Sequence, residues 1–359
     1  MRHSLTQQAA LAPAYLARAW PETAEQARAA LGLWRAAVQR IVICGCGDSY
    51  CAARGAEYGV GLWSGLPVRA AEAMQASRYL LDDAGPGLLV VGISSSGEVA
   101  RTVEALEVAR RCRAHTLAIT TSSASTLAGA ADAVLRLTLP EFPFGPGLLS
   151  YLGAFQACLA IAWGLAPEPA AERLASRMAE LPERVESDRP AQTAAAEAFA
   201  DEVDAEAPGV VLGSGPCRGA AEFAAAKVME ACGLYYRAQD VEEWAHLEYF
   251  VESPPMPTWL LSADGRSRSR EAEVEAAARA IGRRLLITRW GGGEGWSREE
   301  REALAPLALW AGPAAFAQRL MMRRRAVPFR DFGGGRNVAE GGGASRIRSS
   351  ERDGWHSGS

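Results

Sequence analysis

Two short apolar runs, each closed by glycine, one other residue and glycine again, constrain this chain more than any other feature. They read "RIVICGCG" at 40–47 and "VVLGSG" at 210–215. An unbroken aliphatic run is what a strand buried on both faces requires, and such strands belong to parallel sheets covered by helices. From Ile41 short apolar runs alternate with longer helical patches, which predicts strands at 40–45, 66–73, 87–94, 115–120 and 133–139. The same theme returns at 209–215, 234–240, 258–263 and 283–290. The clearest helix is "GEVARTVEALEVARRC", where Val99, Val103, Leu106 and Val108 recur at helical spacing and charged residues take the other face. The fold class read from this pattern is α/β, two copies of one parallel sheet with helices on both faces.

The chain divides accordingly into a first domain with a leading helix over 1–166, an Ala/Glu/Arg-rich helical connector over 167–207, a second domain over 208–332 and a glycine-rich tail over 333–359. With few apolar residues the tail cannot build its own core, so it is either disordered or laid over another surface, where Arg346 and Arg348 would meet an anion or solvent. A formal charge of −4 offers no basic field to nucleic acid or anionic lipid, and no apolar run is long enough for a membrane span. The amino terminus lacks the apolar segment of a secretory signal, and the expected location is the cytoplasm. Seven scattered cysteines, an odd number, fit reduced thiols. Cys44, Cys46 and Cys51 cluster, but without a second Cys or His pair they read as small core residues rather than zinc ligands.

Within "GISSSGEV" three consecutive serines stand between a strand and a helix. A helix amino terminus offers unpaired N–H groups and the positive end of its dipole, so Ser94, Ser95 and Ser96 with the Gly97 amide can hold a phosphate without a cationic side chain. The bland alternative is an N-cap and a polar turn. "GCGDS" also follows a strand and opens a helix, which adds Gly47 and Ser49 at the same sheet edge, where ligands of open α/β sheets bind. Neither glycine turn completes Gly-x-Gly-x-x-Gly, so phosphate is favoured over a dinucleotide.

The second half has no serine-rich turn, and "LLSADGRS" keeps Ser262 in its place. It does have "KVMEACGLYYRAQDVEEWAH", with Glu230 near a helix end and His246 sixteen residues later. A glutamate at a helix carboxyl terminus is disfavoured by the dipole, which would raise its pKa and suit proton exchange. The alternatives are a solvated helix-end glutamate and a partly buried, satisfied histidine.

These residues resemble the sugar isomerase (SIS) domain in its double arrangement, as in the isomerase half of glucosamine-6-phosphate synthase and the fructosamine and glucoselysine phosphate deglycases. "CGCGDS", "GISSSGEV" with "RT" following, and "KVME" with "E-W-A-H" carry the resemblance, over roughly 35–330. It implies that Gly47, Ser49, Ser94, Ser95, Ser96, Gly97 and Thr102 hold a sugar phosphate, with Ser150 from the loop after the fifth strand and Glu243 as the glutamate of the "E-x-x-H" turn. It implies Glu230 and His246 as catalytic residues: His246 would help open the sugar ring and Glu230 would move a proton between C1 and C2 through an enediol or enamine. Val99 replaces the nearer threonine of the pattern, and Leu247 replaces the glycine after the histidine.

Of 38 basic residues Lys227 is the single lysine, so the tail has none for a Schiff base, and no glutaminase segment precedes the first domain. Glutamine-dependent synthesis is therefore not expected. Lys227, one turn before Glu230, reads as an ion-pair partner. The favoured activity is release of an amine from a 6-phosphorylated amino sugar or Amadori compound. The alternatives are plain aldose–ketose isomerisation and a phosphosugar-binding protein without catalysis. The resemblance implies a homodimer, in which His246 would act across the interface, and neither metal nor organic cofactor.

Overall fold

The computed structural model describes residues 4–32 and 34–331. The expectations for the tail, with Arg346 and Arg348, and for His3 and His356 lie outside the described residues. The chain forms two compact units. One contains residues 15–140 and 150–179, and the other contains the segments up to Ala14, 141–149 and 180–331. The helices Ser4–Leu31 and Glu168–Glu202 contribute residues to both.

The first unit holds a sheet of five parallel strands, β1 (Arg40–Gly45), β2 (Val68–Glu72), β3 (Leu88–Ile93), β4 (His115–Thr120) and β5 (Ala133–Arg136), in the order β2-β1-β3-β4-β5. Every residue of β3 is buried, as a central strand covered on both faces must be. Val42, Val90, Ala118, Val103 and Leu106 share one core, the last two from the helix Ala100–Arg111. The periodic apolar face of that helix is thus the one that packs. The second unit repeats the plan with β6 (Gly209–Leu212), β7 (Tyr236–Gln239), β8 (Pro257–Ser262) and β9 (Arg284–Arg289) in the order β7-β6-β8-β9. Its core joins Val210, Leu212, Trp244, Leu260 and Val274.

Register makes the two copies comparable residue by residue. Cys44 pairs with Gly92 in the first sheet, and Leu212 pairs with Leu260 in the second. Counting on from these pairs, Ser94 corresponds to Ser262 and Gly97 to Gly265, and the following helices begin at matching positions, Ala100 and Arg268. The glycine pairs also match. A Cβ on Gly45 would lie 2.7 Å from Ser49 Cβ, and one on Gly213 would lie 2.3 Å from the Cys217 carbonyl oxygen, so the helix start presses on the first glycine of each pair. Gly47 and Gly215 have φ of +57° and +56° with open space above them. Only glycine adopts that conformation without strain.

Three expectations change in detail. The last strand of the first sheet stops at Arg136 instead of 139. The helix after the serines begins at Ala100, not beside Gly97, because Gly97 has φ +72° and Val99 is extended. Cys44 and Cys51 are buried as expected of core residues, but Cys46 is exposed, since it stands at the tip of the turn between two glycines.

Candidate functional site

In both sheets the strand order reverses between the first and third strands of the unit, so the chain leaves β1 and β3 toward opposite sides and opens a crevice at their carboxyl ends. The turns Gly45–Ser49 and Ser94–Gly97 flank that crevice in the first unit. The second of them is pinned from below. Ser94, 2% exposed, accepts the Gly97 N–H on its Oγ at 3.1 Å, and the Ser95 carbonyl accepts from the Thr121 N–H at 3.0 Å and from Thr121 Oγ1 at 2.7 Å. Gly97 cannot carry a side chain, because its Cβ would fall 2.2 Å from Ser125 Oγ. Glu98 accepts the Thr126 N–H at 3.0 Å, which ties the outgoing chain to the next helix. These contacts leave Ser96 exposed and Ser95 half-buried, and among the described residues no protein acceptor takes either N–H. The arrangement is a fixed turn presenting amides and a hydroxyl, which is what an oxyanion needs.

Gly47 is exposed, and Ser49 is half-buried in the first turn of the helix Asp48–Ser64. Thr102 is 0% exposed, and its Oγ1 has no hydrogen-bond partner. Ser150 is the second residue of the helix Leu149–Leu165. Arg101, of the "RT" that follows the serines, stands in the first turn of the next helix and pairs with Glu104, which also holds Arg78 at 2.7 Å and Ser77 at 3.0 Å.

The corresponding turn of the second unit is closed. Glu302, 6% exposed, accepts the Arg266 N–H at 2.5 Å and its Nε–H at 2.8 Å, and fills the space where a Gly265 side chain would stand. Glu271, 1% exposed, accepts from Ser262 Oγ at 2.5 Å and Ser267 Oγ at 2.6 Å. Both carboxylates are thus occupied by donors of this stretch, and Arg266 Nη2 lies 2.7 Å from Glu302 Oε2, so the turn's donors are spent on the protein itself.

Glu230 lies in the last turn of the helix Cys217–Cys232, and Lys227 Nζ is 2.5 Å from its Oε2. Lys227 is fully buried, with its ammonium 5.1 Å from the Phe223 ring centre, so the ion pair expected between them forms. Because this helix runs back from the carboxyl end of β6, Glu230 lies toward the amino-terminal edge of the second sheet, away from Gly213 and Gly215. His246 closes the helix Val241–His246, whose N-cap Asp240 is itself held by Ser214 Oγ at 2.8 Å. The imidazole is exposed, while Trp244 beside it is fully buried. Glu243, expected as the glutamate of the "E-x-x-H" turn, is exposed, and the residue in contact with His246 is Glu242, whose Oε1 lies 3.0 Å from His246 Nε2. Arg270 Nε donates to Glu242 at 2.6 Å, and the Arg270 and His246 hydrogen bonds hold the Glu242 carboxyl below the usual range. The i, i+4 spacing of Glu242 and His246 was the available signal, since residues four apart share a helix face.

Residues 35–160 match the SIS domain. Over 98 residues the chain is 36% identical to the isomerizing glutamine–fructose-6-phosphate aminotransferase of Mycolicibacterium smegmatis, a match covering 27% of this chain and 15% of that relative. The C-terminal domain of glucosamine-fructose-6-phosphate aminotransferase from Francisella tularensis superposes with a TM-score of 0.77 at 15% identity, covering 91% of this chain and 98% of that one. Glucosamine-6-phosphate deaminase from Thermotoga maritima gives 0.62 at 16% identity, covering 88% and 97%. The chain therefore carries an SIS domain at 35–160, and its two-sheet α/β fold is that of phosphosugar isomerase structures. Among the described residues no helix is long and apolar enough to cross a membrane.

Proposed function

We propose that this chain is a sugar-phosphate enzyme that releases an amine or ammonia from a 6-phosphorylated amino sugar or Amadori compound. The observation that carries the reading is the first-unit turn, pinned by Ser94 and Thr121 while Ser95 and Ser96 present amides without a protein acceptor. Its SIS match and the deaminase among its structural neighbours support the class of ligand and reaction. In this reading Gly47, Ser49 and the serine turn hold the phosphate, with Thr102 and Ser150 supporting the pocket. His246, oriented by Glu242, assists ring opening. Glu230 removes the C2 or C1 proton and returns it to the neighbouring carbon, and the amine then leaves by hydrolysis of the imine. Lys227 keeps the Glu230 carboxylate in place. Glu243 would contact substrate only from the exposed face on which it stands. We propose further that the protein acts as a cytoplasmic homodimer.

Incubation with glucosamine 6-phosphate, fructosamine 6-phosphates and fructose 6-phosphate, following amine release, tests the reading. Amine release from one of the first two is expected. Turnover of fructose 6-phosphate alone would replace the reading with an aldose–ketose isomerase, and binding without turnover would replace it with a phosphosugar-binding protein.

A further inference from the structure

Arg283, in the turn before β9, is 6% exposed and has no carboxylate paired with it among the described residues. A buried cation without a counter-ion is a costly arrangement, and a fold retains one only where its donors achieve something a neutral group cannot. Its two terminal nitrogens both go to one segment, while Nε has no partner. Nη2 donates to the carbonyls of Glu248 at 2.7 Å and Val251 at 2.9 Å, and Nη1 donates to the carbonyl of Ser253. A planar guanidinium can hold three carbonyls in one fixed arrangement, which neither an amide nor an ammonium can copy. Burial lowers the Arg283 pKa but leaves it charged at neutral pH.

The clamped segment begins directly after His246. The helix that ends there spans only Val241–His246, too short to hold its own geometry, so its ends must be fixed from outside. Asp240 and Ser214 fix the start. At the other end Leu247 has left the helix, with φ −128° and ψ −76°; its carbonyl accepts the Phe250 N–H at 3.1 Å, and the Glu248 carbonyl accepts from both the Val251 N–H and Arg283, which ties this short turn to the body of the unit. The Glu248 side chain adds a second anchor, accepting from Gln239 Nε2 at 3.2 Å.

We propose that Arg283 is a positioning residue for His246: by holding the carbonyls of 248, 251 and 253 it fixes where the histidine helix ends and how the imidazole is presented. This rests on reading His246 as a participant in turnover.

Three variants test it. In Arg283→Lys and Arg283→Met, amide hydrogen exchange across 247–253 should rise at least about tenfold, while the strands β6 and β8 keep their protection. With the amino-sugar phosphate as substrate, kcat should fall about tenfold to a hundredfold, with KM within about twofold, because phosphate binding does not involve this segment. The lysine variant keeps the buried charge and serves where the methionine variant fails to fold. Loosened exchange at 247–253 with unchanged kcat, in a protein that His246→Gln inactivates, would overturn the inference. Full activity of His246→Gln would instead remove the reading on which it rests.

Discussion

The serine turn at 94–97 and its register partner at 262–265 are the same piece of backbone put to opposite uses. Both follow the third strand of a unit, both end in a glycine, and both open a helix at the matching position. In the first, hydroxyls and threonines pin the turn from below and leave amides facing outward. In the second, Glu271 accepts the Ser262 and Ser267 hydroxyls, Glu302 accepts the Arg266 amide and Ser262 accepts the Asp264 amide, so protein acceptors already occupy these donors. What lies beneath a turn therefore decides which of its donors stay available as much as the turn itself. Duplication of the fold does not duplicate those surroundings.

If the halves divide labour in this way, the largest effect belongs to Glu230. Glu230→Gln should lower kcat by about 10²–10⁴ while leaving affinity for the sugar phosphate near the wild-type value. Steady-state kinetics beside direct binding checks both, and a variant with near-full turnover would break the assignment of proton transfer to the second half. Next comes Gly97→Ala, which forces a Cβ against Ser125 at positive φ. It should destabilise the protein by about 3 kcal/mol in urea titration and abolish turnover at low substrate.

Glu302→Ala sharpens the comparison from the other side. It removes the acceptor of the Arg266 amide, and should cost about 2 kcal/mol of stability with kcat and KM both unchanged. The smallest effect is one of pH. Burial opposes ionisation of Glu104, but hydrogen bonds from Arg78 and Ser77 and the charge of Arg101 outweigh it, so its carboxyl sits below the usual range. A depressed folded pKa adds stability that is complete above the unfolded carboxylate value, about 4.3, and is lost as pH falls through the folded one. Thermal melts from pH 7 to pH 3 should therefore fall less steeply in Glu104→Gln than in wild type.

Much of the architecture could be read from residues alone, for a physical reason. Central parallel strands are buried on both faces, so β3 reads as an unbroken apolar run and β8 as a mostly apolar one, and the paired glycines announce the turns after β1 and β6. The helix start at Ala100 was placed too early because the spacing of Val99 and Val103 is compatible with helix on either side of Gly97, whose positive φ only the fold reveals. Local structure was legible where it depends on sequence pattern, as in the serine turn and the Lys227–Glu230 ion pair. Contacts between distant segments were not. Glu302 closing the second turn from 36 residues away and Arg283 reaching back to Glu248 leave no periodic trace. Glu243 was singled out by the "E-x-x-H" pattern of the resemblance, whereas the side-chain geometry puts Glu242, four residues before His246, in contact with it.

The central claim is that one turn binds the phosphate and its copy does not. Titration of the protein with a sugar 6-phosphate by calorimetry, repeated on Ser95→Pro/Ser96→Pro, where proline removes the N–H in question, and on Asp264→Gly, where glycine keeps the φ of +49°, tests it most directly. The account predicts one site per chain, lost in the serine-turn variant and kept in the Asp264 variant. Two sites per chain, or a single site that survives loss of the Ser95 and Ser96 amides, would contradict it.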